Sequence, residues 1–283
     1  MQDFEGRVAV VTGGASGIGR ALAEAFVELG MKVVLADVEE ALLENTAGAL
    51  AAAGGDVIGV RTDVAKASDL KALAEKTLER YGAVHVLCNN AGVFCGGRTW
   101  DAPIEDYDWL LGVNVYGVLH GIQAFVPLML AQGGEGHIVN TASMAGVTAL
   151  PFVSAYHMSK HAVMALSECL YKELAAEHSS IGVSVLCPEM INTRIGTSER
   201  NRPSDPSRDP ERQSSPIKDL IEKSTVAAAA GGIPPKVIAD RVVDAIRAER
   251  FYILSDDTWR DLGNTRLEDI RLGRNPTLAL PEG

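Results

Sequence analysis

The sequence is short of positive charge. It sets 26 Lys and Arg against 37 Asp and Glu, a formal net charge of −11 at pH 7. A surface of that sign repels the phosphates of nucleic acid and of anionic membranes, so neither is an expected partner. Cysteine is also scarce. Cys88, Cys95, Cys169 and Cys187 form no CxxC pair and lie in or beside apolar segments, which reads as free thiols rather than a disulfide framework or metal site. His157 and His161 are four residues apart, but no acid of an HExxH pattern lies between them, and no metal is expected. Long apolar runs are missing too. Asp3 and Glu5 stand where a signal peptide carries positive charge, and the first apolar run covers only residues 8–11. The later run from Gly117 to Gln132 is broken by His120, Gln123 and Pro127 and is expected to be too short to cross a bilayer. Together these absences point to a soluble, cytoplasmic protein.

What is present is an alternation of short apolar runs with amphipathic stretches. Strands are expected at 7–12, 32–37, 57–62, 84–89, 137–142, 181–187 and 251–254. Helices are expected at 17–29, 39–52, 68–81 with Ser68 as N-cap, 104–131 in one or two pieces, about 154–178, and 234–249. The strands are uninterrupted apolar runs, the mark of a parallel sheet covered on both faces. The fold class is therefore α/β: a doubly wound, Rossmann-like parallel sheet of about seven strands in one domain over residues 1–283. At this length roughly 75% of the unfolded surface is buried on folding, so no staple is needed. Residues 192–224 break the pattern with Pro203, Pro206, Pro210 and Pro216 among polar residues. They read as a surface insertion or as a substrate lid, and their start at a strand's carboxyl end favours the lid. Residues 255–283 form a C-terminal extension.

Between the first strand and first helix stands Thr12-Gly13-Gly14-Ala15-Ser16-Gly17-Ile18-Gly19. Glycines there allow a tight turn and let backbone approach a pyrophosphate resting on the helix N-terminus. Asp37 ends the second strand, where a carboxylate accepts ribose hydroxyls and repels a 2′-phosphate. Neither Ser16 nor Val38 is basic, so NAD is expected rather than NADP. Further on, Tyr156 and Lys160 share a helix face. An ammonium beside a phenol favours the phenolate and is expected to lower its pKa, making tyrosine a proton acceptor. Ser143, thirteen residues upstream, offers a hydroxyl for a substrate oxygen.

These segments, with Asp63-Val64, Asn89-Asn90-Ala91-Gly92, Asn114, Tyr156-His157-Met158-Ser159-Lys160 and Cys187-Pro188-Glu189-Met190-Ile191-Asn192-Thr193, resemble the short-chain dehydrogenase/reductase family over residues 7–193. The resemblance implies hydride transfer between a nicotinamide cofactor and a secondary alcohol or ketone. In that reading Tyr156 is the base, Lys160 tunes it and binds the nicotinamide ribose, and Ser143 orients the substrate. It further implies that Asn114 anchors a water leading from Lys160, that Asp63 and Val64 hold adenine, and that Asn90, Ala91 and Gly92 line the cleft and brace the central strands. Pro188, Ile191 and Thr193 would hold the carboxamide. From the residues alone, Asp63 reads as a turn residue and Asn89–Asn90 as a loop after a strand.

Glu189 departs from the family pattern, which has glycine there; it either points to solvent or projects into the substrate mouth. The expected substrate neighbours, Met144, Ala145, Leu150, Phe152 and Met190, are apolar, which implies a hydrophobic alcohol or ketone as partner. The alternatives are an NADPH-dependent ketone or quinone reductase and a non-catalytic, NAD-sensing module. The resemblance also implies a homotetramer or dimer through the two long helices, with Leu110, Leu111, Ala162, Met164, Ala165 and Leu170 as compatible apolar positions.

Overall fold

The computed structural model describes residues 1–203, 215–254 and 257–278. The centre of the expected 192–224 lid and the end of the expected C-terminal extension lie outside the described residues. Seven strands form one sheet: β1 (Val8–Thr12), β2 (Lys32–Asp37), β3 (Val57–Arg61), β4 (Val86–Asn89), β5 (Gly136–Thr141), β6 (Ile181–Cys187) and β7 (Tyr252–Leu254). Their order is β3-β2-β1-β4-β5-β6-β7 and every pairing is parallel. The helices are α1 (Gly17–Glu28), α2 (Glu40–Ala52), α3 (Ala67–Tyr81), α4 (Ile104–Leu111), α5 (Gly117–Gln132), α6 (Ser154–Ala176), α7 (Pro216–Ala230), α8 (Pro235–Arg247) and α9 (Asp257–Leu272).

Strand residues alternate between faces, and both faces are covered. Ala9, Val11, Val33 and Leu35 pack with Leu22 and Phe26 of α1 and with Ile238, Val242 and Ile246 of α8. Val8, Val10, Val34 and Ala36 pack with Leu70 and Leu73 of α3, Phe125 and Met129 of α5, and Leu170 and Leu174 of α6. That is why the strands read as continuous apolar runs rather than alternating ones. The chain moves outward from β1 to β2 and β3, then returns to β4 on the other side of β1. The reversal opens a crevice at the carboxyl ends of β1 and β4, where ligands bind in sheets of this kind.

Three sequence expectations are corrected. Helix α3 starts at Ala67 with Lys66 at the N-cap position. The Asp63 carboxylate accepts the Ala65 N–H at 3.1 Å and folds 63–66 into a turn, so Ser68 lies inside the first helical turn and does not cap it. Next, α4 and α5 are joined by a π-helical turn, Gly112–Tyr116, into one 29-residue helical run, Ile104–Gln132, long and apolar enough to cross a membrane. The expected limit on length therefore fails, although Leu110, Asn114, Val118, Phe125 and Met129 of this run are buried within the protein. Finally, Leu110, Met164 and Leu170 are spent on the chain's own core. Ala165 stays exposed, and the exposed large apolar residues of the long helices are Ile104, Tyr116, Leu130, Met158 and Tyr171.

One core polar group carries a consequence for stability. His137 on β5 is buried, and its Nε2 lies 2.8 Å from Ser184 Oγ. Ser184 donates its own proton to the Arg250 carbonyl, so Nε2 carries the hydrogen and the ring is neutral. Burial, with the N-terminal ammonium second, pushes the His137 pKa down to about 4. Burial also holds His85, His157 and His161 below the ordinary value. The folded state thus binds fewer protons than the unfolded chain in this range. Its stability is expected to be full above about pH 6.5 and to fall as pH drops toward about 4. Urea midpoints at pH 7 and pH 5 check this: the midpoint should be lower at pH 5, and a flat profile would refute it.

Candidate active site

A cleft of about 800 Å³ opens at the crevice between β1 and β4. Gly13, Ser16, Gly17 and Ile18 form its floor at the start of α1. Gly13 has φ +63°, and a Cβ there would stand 2.9 Å from the Ala91 Cα. A Cβ at Gly19 would collide with the Gly13 carbonyl, so Gly19 acts beneath the turn rather than in the cleft wall. Ser16 occupies the N-cap position of α1 but makes no side-chain cap bond. The first N–H groups of the helix are left for an anion. The neighbouring strand ends are stitched together: Thr12 Oγ1 accepts the Asn90 and Ala91 N–H groups at 2.9 and 3.1 Å, and Asn90 Nδ2 donates to the Thr12 carbonyl at 2.9 Å.

Asp37 lines the cleft two residues before Glu39. Its carboxylate accepts the Ala15 N–H at 3.1 Å and the Glu39 N–H at 3.0 Å, so it is oriented before any ligand arrives. Burial raises its pKa, against the lowering effect of those two bonds. Thr62, Val64, Asn90, Ala91 and Gly92 continue the wall. Asp63 does not reach it. Its carboxylate is used on Ala65 and on Lys66, at 3.1 Å each, as the turn reading of that residue requires.

At the far end of the cleft stand Ser143, Tyr156 and Lys160. Ser143 follows β5, donates to the Pro188 carbonyl at 3.2 Å and accepts the Ala145 N–H at 3.1 Å. Tyr156 and Lys160 lie one turn apart on α6. The Lys160 ammonium is 5.5 Å from the Tyr156 ring centroid and donates to the Thr141 carbonyl at 3.0 Å. The expected depression of the phenol is absent in the chain alone. Burial pushes Tyr156 up to about 12, and its hydrogen bond with Ser143 offsets this only in part. Burial likewise pulls Lys160 down to about 8. Desolvation, which spacing in the sequence does not show, outweighs the charge of the neighbouring ammonium here.

Asn114 sits in the π-helical turn. Its Oδ1 accepts the Val93 N–H at 2.8 Å, and its Nδ2 donates to the Val93 carbonyl and to Ser159 Oγ, at 3.0 Å each. Pro188, Met190, Ile191 and Thr193 line the cleft beyond β6, and Met144, Ala145, Leu150 and Phe152 line it from the loop after β5. Phe152 has φ +66°, a left-handed conformation that costs a non-glycine residue energy and clusters at functional sites. Glu189 also lines the cleft, with one carboxylate oxygen enclosed by protein.

Several wall residues carried no sequence signal. Phe94 packs edge-on against Tyr156 at 5.1 Å between ring centroids. Trp259 comes from α9 and Ile221 from α7. His157, its pKa lowered by burial, accepts the Leu150 N–H at Nε2 at 2.9 Å and so donates from Nδ1 to the Ala145 carbonyl at 2.8 Å, pinning the 145–150 loop. At the Asp37 end, Arg200 holds Glu39 at 2.9 Å, Asn201 at 3.1 Å and Arg194 at 3.7 Å. Burial tends to raise the Glu39 pKa, but these contacts bring it below the ordinary value.

The comparisons with known proteins agree with this geometry. The family model for short chain dehydrogenase matches residues 7–204. A short chain dehydrogenase/reductase from Burkholderia phymatum, solved in complex with NAD, is 44% identical with a TM-score of 0.95 over 99% of both chains. The CLA biosynthesis dehydrogenase/reductase of Lactiplantibacillus plantarum is 31% identical over all of this chain and 99% of that protein. The 1-deoxy-11-beta-hydroxypentalenate dehydrogenase of Streptomyces arenae is 33% identical over 90% of this chain and 88% of that one. The matched span contains the glycine turn, the Asp37 strand and the Ser143, Tyr156 and Lys160 wall, and the chain belongs to the short-chain dehydrogenase/reductase family of oxidoreductases.

Proposed function

We propose that the protein transfers a hydride between NAD(H) and a hydrophobic secondary alcohol or ketone. The observation that carries this reading is the placement of Ser143, Tyr156 and Lys160 in the same cleft as the glycine turn and Asp37. The residues fit a dinucleotide. The glycine turn packs so close to the strand end beside it that a Cβ at Gly13 would press on the Ala91 backbone, and the N-terminus of α1 is uncapped for the pyrophosphate. Asp37 suits an adenosine ribose with free hydroxyls. Arg194 and Arg200, the cations nearest that end, already share an ion pair with Glu39. When bound, NAD⁺ supplies the hydride acceptor and a positive ring charge that favours the phenolate.

Ser143 holds the alcohol oxygen and Tyr156 takes its proton at the phenol oxygen. Lys160 keeps a positive charge beneath that ring. The Asn114 side chain is used on Val93 and Ser159, so a water anchored toward Lys160 would bond its main chain in the π-helical turn. Residues 193–201 and α7 act as the substrate lid in this reading, and the exposed apolar residues of α5 and α6 serve a homo-oligomer.

A substrate screen reading NADH fluorescence, with NAD⁺ and hydrophobic secondary alcohols, tests the activity; no turnover across the panel would refute it. Asp37→Asn tests the cofactor choice. Removing that charge should raise the NADP⁺/NAD⁺ ratio of kcat/KM by about 10-fold or more, since a carboxylate at this site repels a 2′-phosphate. An unchanged ratio in steady-state rates would remove Asp37 as the selector.

A further inference from the structure

Among the described residues, three other than glycine have positive φ: Phe152, His178 and Glu249, at +66°, +55° and +52°. Two of them end helices. His178 follows α6 and Glu249 follows α8. The Ser179 N–H bonds the Leu174 carbonyl and the Arg250 N–H bonds the Ala245 carbonyl, each at 2.9 Å, which closes both helix ends in the usual left-handed way. Phe152 ends nothing, since α6 begins two residues after it.

The chain on either side imposes the conformation. The Leu150 N–H is held by His157 Nε2 at 2.9 Å. Val153 is bridged in parallel to Gly97, whose N–H donates to the Phe152 carbonyl at 2.8 Å. Pro151 between them has its φ held at about −65° by its ring. A positive φ after such a proline gives the sign pattern of a type II turn, whose second central position takes glycine or asparagine. Phenylalanine is strained there and glycine is not.

Core burial does not account for the phenylalanine, because Phe152 is 37% exposed and lines the cleft. Strain of this kind persists where the surrounding structure over-determines it, and it gathers at ligand sites. A second ring, Phe94, lines the same cleft edge-on to Tyr156. Aromatic rings attract a further ring in offset or edge-on contact beyond what burial alone gives.

We infer that Phe152 is a specificity-determining residue. Its strained turn presents an aromatic side chain to the substrate and favours alcohols and ketones whose reacting carbon carries a flat aromatic group. This rests on the hydride-transfer reading of the same cleft.

Phe152→Gly and Phe152→Ala test it together, because both remove the ring and only glycine relieves the strain. The probe is 2-acetonaphthone, titrated into the full-length protein saturated with NAD⁺, a complex in which a ketone cannot be reduced. Both variants should bind it about 10-fold more weakly than the wild type, the size of an aromatic contact with its share of buried area. Phe152→Ala should melt about 2 °C below Phe152→Gly, the reverse of the order at an unstrained position. Rates with NAD⁺ are measured alongside. The ratio of kcat/KM for 1-(2-naphthyl)ethanol over 2-butanol should fall about 10-fold in both variants. No binding of 2-acetonaphthone to the wild type, unchanged affinity in both variants, or a glycine variant that melts below the alanine one overturns the inference. Binding that weakens as expected, with neither alcohol oxidised by the wild type, would remove the hydride-transfer reading and leave the aromatic contact standing. Oxidation of both alcohols at a ratio that neither substitution moves would remove only the role of Phe152.

Discussion

Tyr156→Phe is expected to lower turnover by about 10²–10⁴-fold, the range that a positioned acid–base group contributes, with NADH affinity unchanged. The substitution removes one oxygen and little else. The phenyl ring keeps its edge contact with Phe94, and Ser143 keeps its bonds to Pro188 and Ala145. The fold should therefore survive, and the thermal midpoint should move by no more than a few degrees, as expected where no new cavity or buried charge is created. What is lost is the group that accepts the alcohol proton. In the chain alone that phenol stands at about 12 and Lys160 at about 8, both displaced by burial. Alcohol oxidation requires the deprotonated phenol, so the wild-type rate should rise with pH and the ketone reduction rate should fall. The two groups titrate as a coupled pair, and the profile belongs to the pair rather than to either residue. Steady-state rates with NAD⁺, together with an NADH fluorescence titration of both proteins, check the prediction. Normal turnover in Tyr156→Phe would sink the proposed proton acceptor.

The legible parts of this molecule are those written in contiguous residues. A strand covered on both faces shows as an unbroken apolar run, and the β-α alternation gives the doubly wound sheet with its crevice beside β1. Glycines in the turn after β1 and a tyrosine and lysine one helical turn apart are equally local signals. Contacts made across the fold leave no such trace. Arg200 meets Glu39 across 161 residues of chain, and Trp259 reaches the cleft from a helix near the end of the chain. The left-handed Phe152 carries no glycine to announce it. The Tyr156 pKa is illegible for a different reason: spacing shows the charge beside the phenol but not the water removed from around it. Asp63 shows the reverse case, because its turn chemistry was plain in the sequence and its carboxylate is spent there.

Asp106→Ala should be among the most damaging single changes outside the cleft. Asp106, on α4, has a side chain 2% exposed, and it holds Arg202 at 2.8 Å and Lys218 at 3.2 Å. Those partners are 6% and 8% exposed and flank residues 204–214 on either side. Arg202 also lies 4.0 Å above the Trp109 ring and bonds Glu199 at 2.6 Å. The cluster thus ties the 195–201 turn and the start of α7 to α4, and both tied elements wall the cleft through Ser198, Ile221 and Thr225. Replacing such a pair by apolar groups can be nearly neutral, but removing the Asp106 carboxylate takes the buried Lys218 ammonium's ion-pair partner away, and a broken buried pair costs about 3–5 kcal/mol. The protein has a cheaper escape than global unfolding: the tied elements can lift away and let Lys218 and Arg202 reach water. The thermal midpoint should therefore fall by less than the full penalty implies. Proteolysis between 195 and 230 should quicken by about tenfold or more, because local opening of about 1.4 kcal/mol is worth that factor in the open population. A rise in substrate KM should accompany it, with NADH affinity less affected. Lys218→Met in the Asp106→Ala background removes one stranded charge and should recover part of the protection, a coupling that mere loss of packing would not produce. Unchanged cleavage and KM in Asp106→Ala would show that these elements stay in place without the buried carboxylate.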